Sequence, residues 1–240
     1  MCTATYVPLT TNGFILTHSR DEKAIRPTAR PPKAFSIGDQ AVIFPQDPQS
    51  QGTWIASSAR TTVCLLNGAF VPHQVQPAYK QSRGLVIPHF FTYPSINAFS
   101  AAYDFGHIEP FTLLVAEAER LTELRWTGQR LFTHEKDPNR AHIWSSVTLY
   151  TPDMIKKREG WFGDWLPQHP NPTVDDIRHF HQSAGDGDAE TSIRMNRQHA
   201  LLTISLTSIV QQDGDAEFIY EDFTQSTFSQ QTIRPAYAIA

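Results

Sequence analysis

Cys2 and the run Arg20-Asp21-Glu22 are the residues whose types and spacing could do covalent chemistry in this chain. Once Met1 is trimmed, Cys2 carries a thiol and a free α-amine, so nucleophile and base come as one unit. Such an amine titrates near pH 8, against about 10.4 for a lysine side chain, so a useful fraction is neutral near pH 7. Cys2 is also small, which favours removal of an initiator Met. The thiol would attack a carbonyl carbon and pass its proton to its own amine or through a bridging water, leaving an acyl-thioester. The plain alternative is that Cys2 is simply a small residue after the initiator. His18 could help relay protons, or be a structural histidine at a strand end.

These groups need elements that bring them together. The sequence predicts strands over Thr3 to Leu9 and Gly13 to Ser19, with Thr11-Asn12-Gly13 as the turn. A hairpin of that length returns Arg20 and Asp21 beside Cys2. Further strands are expected at Gln40 to Phe44, Trp54 to Ser57 and Thr61 to Asn67. The run Val63-Cys64-Leu65-Leu66 is apolar on both faces, which suits an inner layer. Asn67 ends that strand and precedes Gly68, making it the best-placed amide for a developing oxyanion, or alternatively a turn residue. The proline-rich stretches Arg26 to Pro32 and Pro45 to Gly52 read as surface loops.

Later in the chain, helices are expected at Ser82 to Tyr93, Asn97 to Tyr103, Met154 to Trp165 and Thr173 to Ser183, with Thr173 as N-cap of the last. Strands are expected at Phe111 to Glu117, Arg120 to Trp126, Arg130 to His134 and His142 to Ser146. A closing hairpin joins Leu201 to Val210 and Glu217 to Phe223. The tryptophans read as core packing rather than as a binding box.

Met1-Cys2-Thr3, the quartet Ser19-Arg20-Asp21-Glu22, Arg26-Pro27, Gly52-Thr53-Trp54-Ile55, Leu66-Asn67-Gly68 and Thr203-Ile204-Ser205-Leu206-Thr207 together resemble the NRDE-motif family, also called the transport and Golgi organisation family. Ser19 stands where that family has Asn. The resemblance implies an N-terminal-nucleophile (Ntn) hydrolase fold: α+β, a four-layer αββα sandwich of two mostly antiparallel sheets. More distantly the pattern is similar to the choloylglycine hydrolase and penicillin V acylase group. That similarity implies that Asp21 holds and polarises the terminal amine, a sensible role for a carboxylate beside an ammonium. In that group an Arg lies three residues before the Asp; here His18 is there, and Arg20 either serves the site or pairs with Glu22 or another carboxylate. The same group keeps an Asn near the end of the later strand, where this chain offers Ser145 and Ser146 as substrate-binding candidates. It also keeps an Arg before the last hairpin, for which Arg197 is preferred over Arg194.

Composition sets outer bounds. The 240 residues are 40% hydrophobic, enough for a full core, and are read as one domain over 1–240. A net charge of −4 with scattered Lys and Arg gives no reason to expect nucleic acid. No apolar run approaches the ~18 residues of a membrane span, and no signal peptide is visible. The expected location is cytoplasmic, with Cys2 and Cys64 reduced. No spacing suggests a metal site, and no cofactor is expected. Two functions remain: a thiol amidohydrolase acting on a small-molecule amide or acyl substrate, and a carrier of haem or an acyl lipid. The second follows from the family's connection with haem trafficking, lipid homeostasis and secretory-pathway organisation, with Cys2 as a soft ligand for haem iron.

Overall fold

The computed structural model describes residues 2–10, 12–76 and 78–234. Met1, whose trimming the chemistry requires, and Thr11 of the expected turn lie outside them. The first half of the chain runs β1 (Cys2–Pro8), β2 (Gly13–Lys23), β3 (Arg30–Ile37), β4 (Gln40–Gln46), β5 (Ile55–Ser57), β6 (Thr62–Asn67), α1 (Val86–Phe90) and α2 (Ile96–Ala102). The second half runs β7 (Phe111–Glu117), β8 (Arg120–Trp126), β9 (Leu131–Lys136), β10 (His142–Ser145), α3 (Pro152–Trp165), α4 (Val174–Ser183), β11 (Asn196–Arg197), β12 (Leu201–Gln212), β13 (Asp215–Asp222) and β14 (Thr227–Ile233).

Among the described residues the strands form two antiparallel sheets of seven. One has the order β10-β1-β2-β12-β13-β14, with β11 on β12; the other runs β3 to β9 in chain order. Every residue of β2 from Gly13 to Asp21 is buried, because both faces of that strand are covered. Three apolar clusters show by what. Tyr6, Leu16, Cys64, Leu66, Leu114 and Tyr220 pack between the sheets. Val63, Leu65, Phe90, Phe99 and Leu113 pack the second sheet onto α1 and α2. Val7, Ile15, Phe162, Ile177 and Phe180 pack the first sheet onto α3 and α4. The result is the expected four-layer sandwich.

Local signals account for most boundaries. Thr173 accepts from Asp176 N while the Asp176 carboxylate accepts from Thr173 N, a closed capping box for α4. Thr151 caps α3 with Pro152 in its first turn. Three expectations need correction. Arg26 to Pro32 is not all loop, since Arg30, Pro31 and Pro32 begin β3. That strand lies at a sheet edge with a register shift between Arg30 and Lys33, where missing N–H groups cost little. The helix expected from Ser82 to Tyr93 shrinks to a 3₁₀ turn at Arg83–Leu85 and the five residues of α1. β14, outside the expected elements, extends the closing hairpin to a third strand. Among the described residues no helix is long and apolar enough to cross a membrane.

Candidate active site

The β1–β2 ladder pairs Cys2 directly with Arg20. Side chains alternate across a strand, so Cys2, Ala4 and Tyr6 face the second sheet, while Thr3 and Thr5 face the helices. Arg20 shares the face of Cys2. Its guanidinium lies 3.9 Å from the centre of the Trp54 ring and donates to Asp47 Oδ2 at 2.7 Å. Arg26 grips the same carboxylate, with Nε 2.9 Å from Oδ2 and Nη2 3.1 Å from Oδ1. Asp47 closes its own turn by accepting from the backbone N–H groups of Gln49 and Ser50. Burial opposes the charge on Asp47, but the Arg26 hydrogen bonds, the Ser50 N–H and the Arg20 charge outweigh it and hold the carboxyl down at about 2.

The opposite wall comes from β6 and the 3₁₀ turn. Asn67 ends β6, and its carbonyl accepts from Ser146 Oγ at 2.8 Å. Ser146 N donates to the Cys2 carbonyl at 2.9 Å, so this one serine ties the ends of β1 and β6 across the two sheets. Arg83 bonds Glu109 at 3.0 Å and the Pro110 carbonyl at 3.2 Å, and His73 meets the other Glu109 oxygen at 3.0 Å. Glycines let these segments meet: Thr53 N donates to Gly84 O at 3.0 Å, and a Cβ on Gly52 would stand 2.5 Å from the Gly84 carbonyl carbon. Between the walls is a cavity of about 510 Å³, lined among others by Cys2, Arg20, Trp54, Asn67, Arg83 and Glu109. That is roomy enough for a small metabolite.

Cys2 is 2% exposed at the floor of this cavity. Burial pushes its thiol above the usual range and the Asp21 charge adds to that, while the Arg20 charge works against it. The group is therefore a thiol near neutrality, and attack requires that a base remove its proton. On the helix side of the same strands lies a second polar cluster. Asp21 accepts from the Tyr150 hydroxyl in a very short contact and from Thr203 Oγ1 at 2.6 Å. Arg158, fully buried, stands 3.7 Å from the Tyr150 ring centre, donates to Thr3 Oγ1, and reaches the Ser192 carbonyl at 2.7 Å. Burial raises the Asp21 carboxyl, partly offset by Arg158, Thr203 and Tyr150. His181 bridges Thr5 Oγ1 at 2.8 Å and Ser19 Oγ at 2.7 Å. Burial, then the charges of Arg158 and Arg178, push its imidazole down to about 3.

The fold thus gathers Cys2, Arg20 and Asn67 at one cavity. It leaves the other expected residues elsewhere. The Asp21 carboxylate opens on the helix side, because it is one residue out of phase with Arg20. His18 lies wholly buried between the sheets, inward of the cavity. Ser145 sits within the β1–β10 ladder opposite Thr3, and Ser146 acts through its bonds to Cys2 and Asn67 rather than from the lining. Arg197 bonds the Glu190 carbonyl at 3.2 Å and lies on the helix side, and Arg194 stacks on Phe223. Trp54, read as core, is a cavity wall. Asp47 lay within the expected Pro45 to Gly52 loop, and nothing local marked it as the partner of two arginines. Arg83, Glu109 and Arg158 carried no local signal.

Both cysteines are free. Among the described residues no group of three or more His, Cys, Asp or Glu side chains is placed to hold a metal ion. Residues 1–216 match the family profile described as Transport and Golgi organisation 2. No curated protein matches the chain.

Proposed function

The chain belongs to the Transport and Golgi organisation 2 family, and from that premise we propose that it is an Ntn-type thiol amidohydrolase whose nucleophile is Cys2. One observation carries the reading: Cys2, Arg20 and Asn67, distant in sequence, face one polar cavity of about 510 Å³. In the reaction the α-amine of Cys2 takes the thiol proton and sulfur adds to the amide carbon. The oxyanion is received by the Asn67 amide, the amine leaves with the proton, and water later hydrolyses the thioester. Asp21 holds the α-amine from the helix side. The backbone nitrogen lies in the plane of the sheet, so an orienting carboxylate need not share the face of the thiol. One domain and a reducing, cytoplasmic location fit the shared core and the free thiols.

The carrier alternative finds less support in this cavity. Arg20, Arg26, Arg83, Asp47, Glu22 and Glu109 all line it, and a porphyrin or acyl chain needs a broad apolar wall. The test is an intact mass of the purified protein, followed by iodoacetamide labelling and turnover of an N-acyl amino acid library. The expected result is loss of Met1, one label lost in Cys2→Ala, and Cys2-dependent release of amine. Full retention of Met1 in active protein, or turnover that survives Cys2→Ala, overturns it.

A further inference from the structure

Behind the Cys2 cavity the two sheets enclose polar atoms that have no partner among the described residues. On β2 and β12, Arg20 directly faces Ser205 and His18 directly faces Thr207. Nη1 of Arg20, Oγ1 of Thr207 and Nε1 of Trp54 are buried without a hydrogen bond, and beside them the His18 ring meets the Leu65 backbone and Ser205 meets the Tyr220 hydroxyl. The side chains of His18, Arg20, Trp54, Ser205 and Thr207 are all more than nine-tenths buried.

A buried polar group left dry costs about 1–3 kcal/mol, and native interiors carry few of them. Such atoms gathered in one seam beside the His18 ring and the Ser205 hydroxyl describe a site for a small ligand that both donates and accepts. Arg20 and Trp54 offer donors, the neutral His18 ring offers its other nitrogen, and the Ser205 and Thr207 hydroxyls serve either way. Water has that chemistry and that size. Burial keeps the imidazole neutral, well below its ordinary range, with the charge of Arg20 acting in the same direction.

We propose that His18, Arg20, Ser205, Thr207 and Trp54 line a hydrated chamber behind Cys2, and that its water hydrolyses the thioester formed there. The catalytic half of this rests on the amidohydrolase reading. Cys2 opposes Arg20 and so stands at the outer end of the chamber. In the step, the water oxygen bonds to the thioester carbon while one water proton passes to the α-amine of Cys2. The carbon–sulfur bond then breaks, the acyl group leaves as a carboxylic acid, and the thiolate recovers the proton from the ammonium. His18 and Thr207 orient the water and are unchanged, which makes them positioning residues.

Thr207→Val keeps the shape and deletes the hydroxyl, and Thr207→Ser keeps the hydroxyl. If the chamber is hydrated, Thr207→Val lowers Tm by about 2–4 °C, because a bound water loses a partner. A dry seam gives the opposite sign, since an unpaired hydroxyl has been removed. With a substrate that acylates Cys2, Thr207→Val slows thioester hydrolysis about tenfold while the burst of one acyl group per chain stays intact, and Thr207→Ser restores the rate. A raised Tm overturns the chamber, and an unchanged deacylation rate overturns its catalytic role. Failure of every amide to acylate Cys2 overturns the catalytic role, and the sign of the Tm change then decides hydration alone.

Discussion

At the scale of single residues, Asp47 binds two arginines of the cavity wall at once. It holds Arg20 over the Trp54 ring and Arg26 beside it, so Asp47→Asn leaves two guanidiniums without their shared counter-charge. The expected cost is about 3 kcal/mol by urea unfolding, with slower iodoacetamide labelling of Cys2 as Arg20 drifts. The pH dependence follows from the shifts. The Asp47 carboxyl lies at about 2 in the fold against about 3.9 unfolded, so its contribution is full above pH ~4 and fades as pH falls toward 2. His181 acts earlier. Its folded value is about 3 and its unfolded value about 6.5, so the unfolded chain takes up a proton first and stability declines from pH ~6.5 downward. Tm measured from pH 7 to 4 is expected to fall less steeply in His181→Gln than in the wild type; an identical slope would contradict the buried neutral assignment.

At the scale of elements, the cavity exists because two short segments cross without side chains between them. Gly52 ends the Asp47 turn and Gly84 lies in the 3₁₀ turn, backbone against backbone. Gly52→Ala therefore forces the Arg83 wall outward, at a cost of about 1–3 kcal/mol, and is expected to speed alkylation of Cys2 by opening its floor. Ser146→Ala is a milder test of the tie between β1 and β6. It removes the bond to the Asn67 carbonyl and is expected to lower stability by about 1 kcal/mol, with amide turnover falling more than thiol labelling, because Asn67 moves and Cys2 does not. The hairpin of β1 and β2 was readable from alternation and a turn signal. β3 was not, because its prolines argue against a strand unless the strand is known to lie at an edge.

At the scale of the molecule, the interlayer core joins residues of both sheets, among them Leu16 and Tyr220 from one and Cys64, Leu66 and Leu114 from the other. Sheets that share a core should not unfold separately. Calorimetry is expected to show one cooperative transition, and Leu66→Ala, which opens a void at 2% exposure, to shift it as a whole by about 2–5 kcal/mol. Two resolved transitions would break the one-domain proposal.

The sequence by itself determined the strand pair that sets Arg20 opposite Cys2 and singled out Cys2 as the proposed nucleophile, because those depend on residue type, period and neighbours a few positions away, while the layered class came from the family resemblance. Asn67 was also within reach, since a polar residue closing an apolar strand must end at a sheet margin. Only the tertiary structure decided which side of the first sheet each group serves, that Asp21 keeps company with Tyr150 and Thr203, and that Asp47, Trp54 and Arg83 wall the cavity. Those facts hang on which strand ends and turns meet across two sheets, and nothing local in the chain encodes a meeting between residues so far apart.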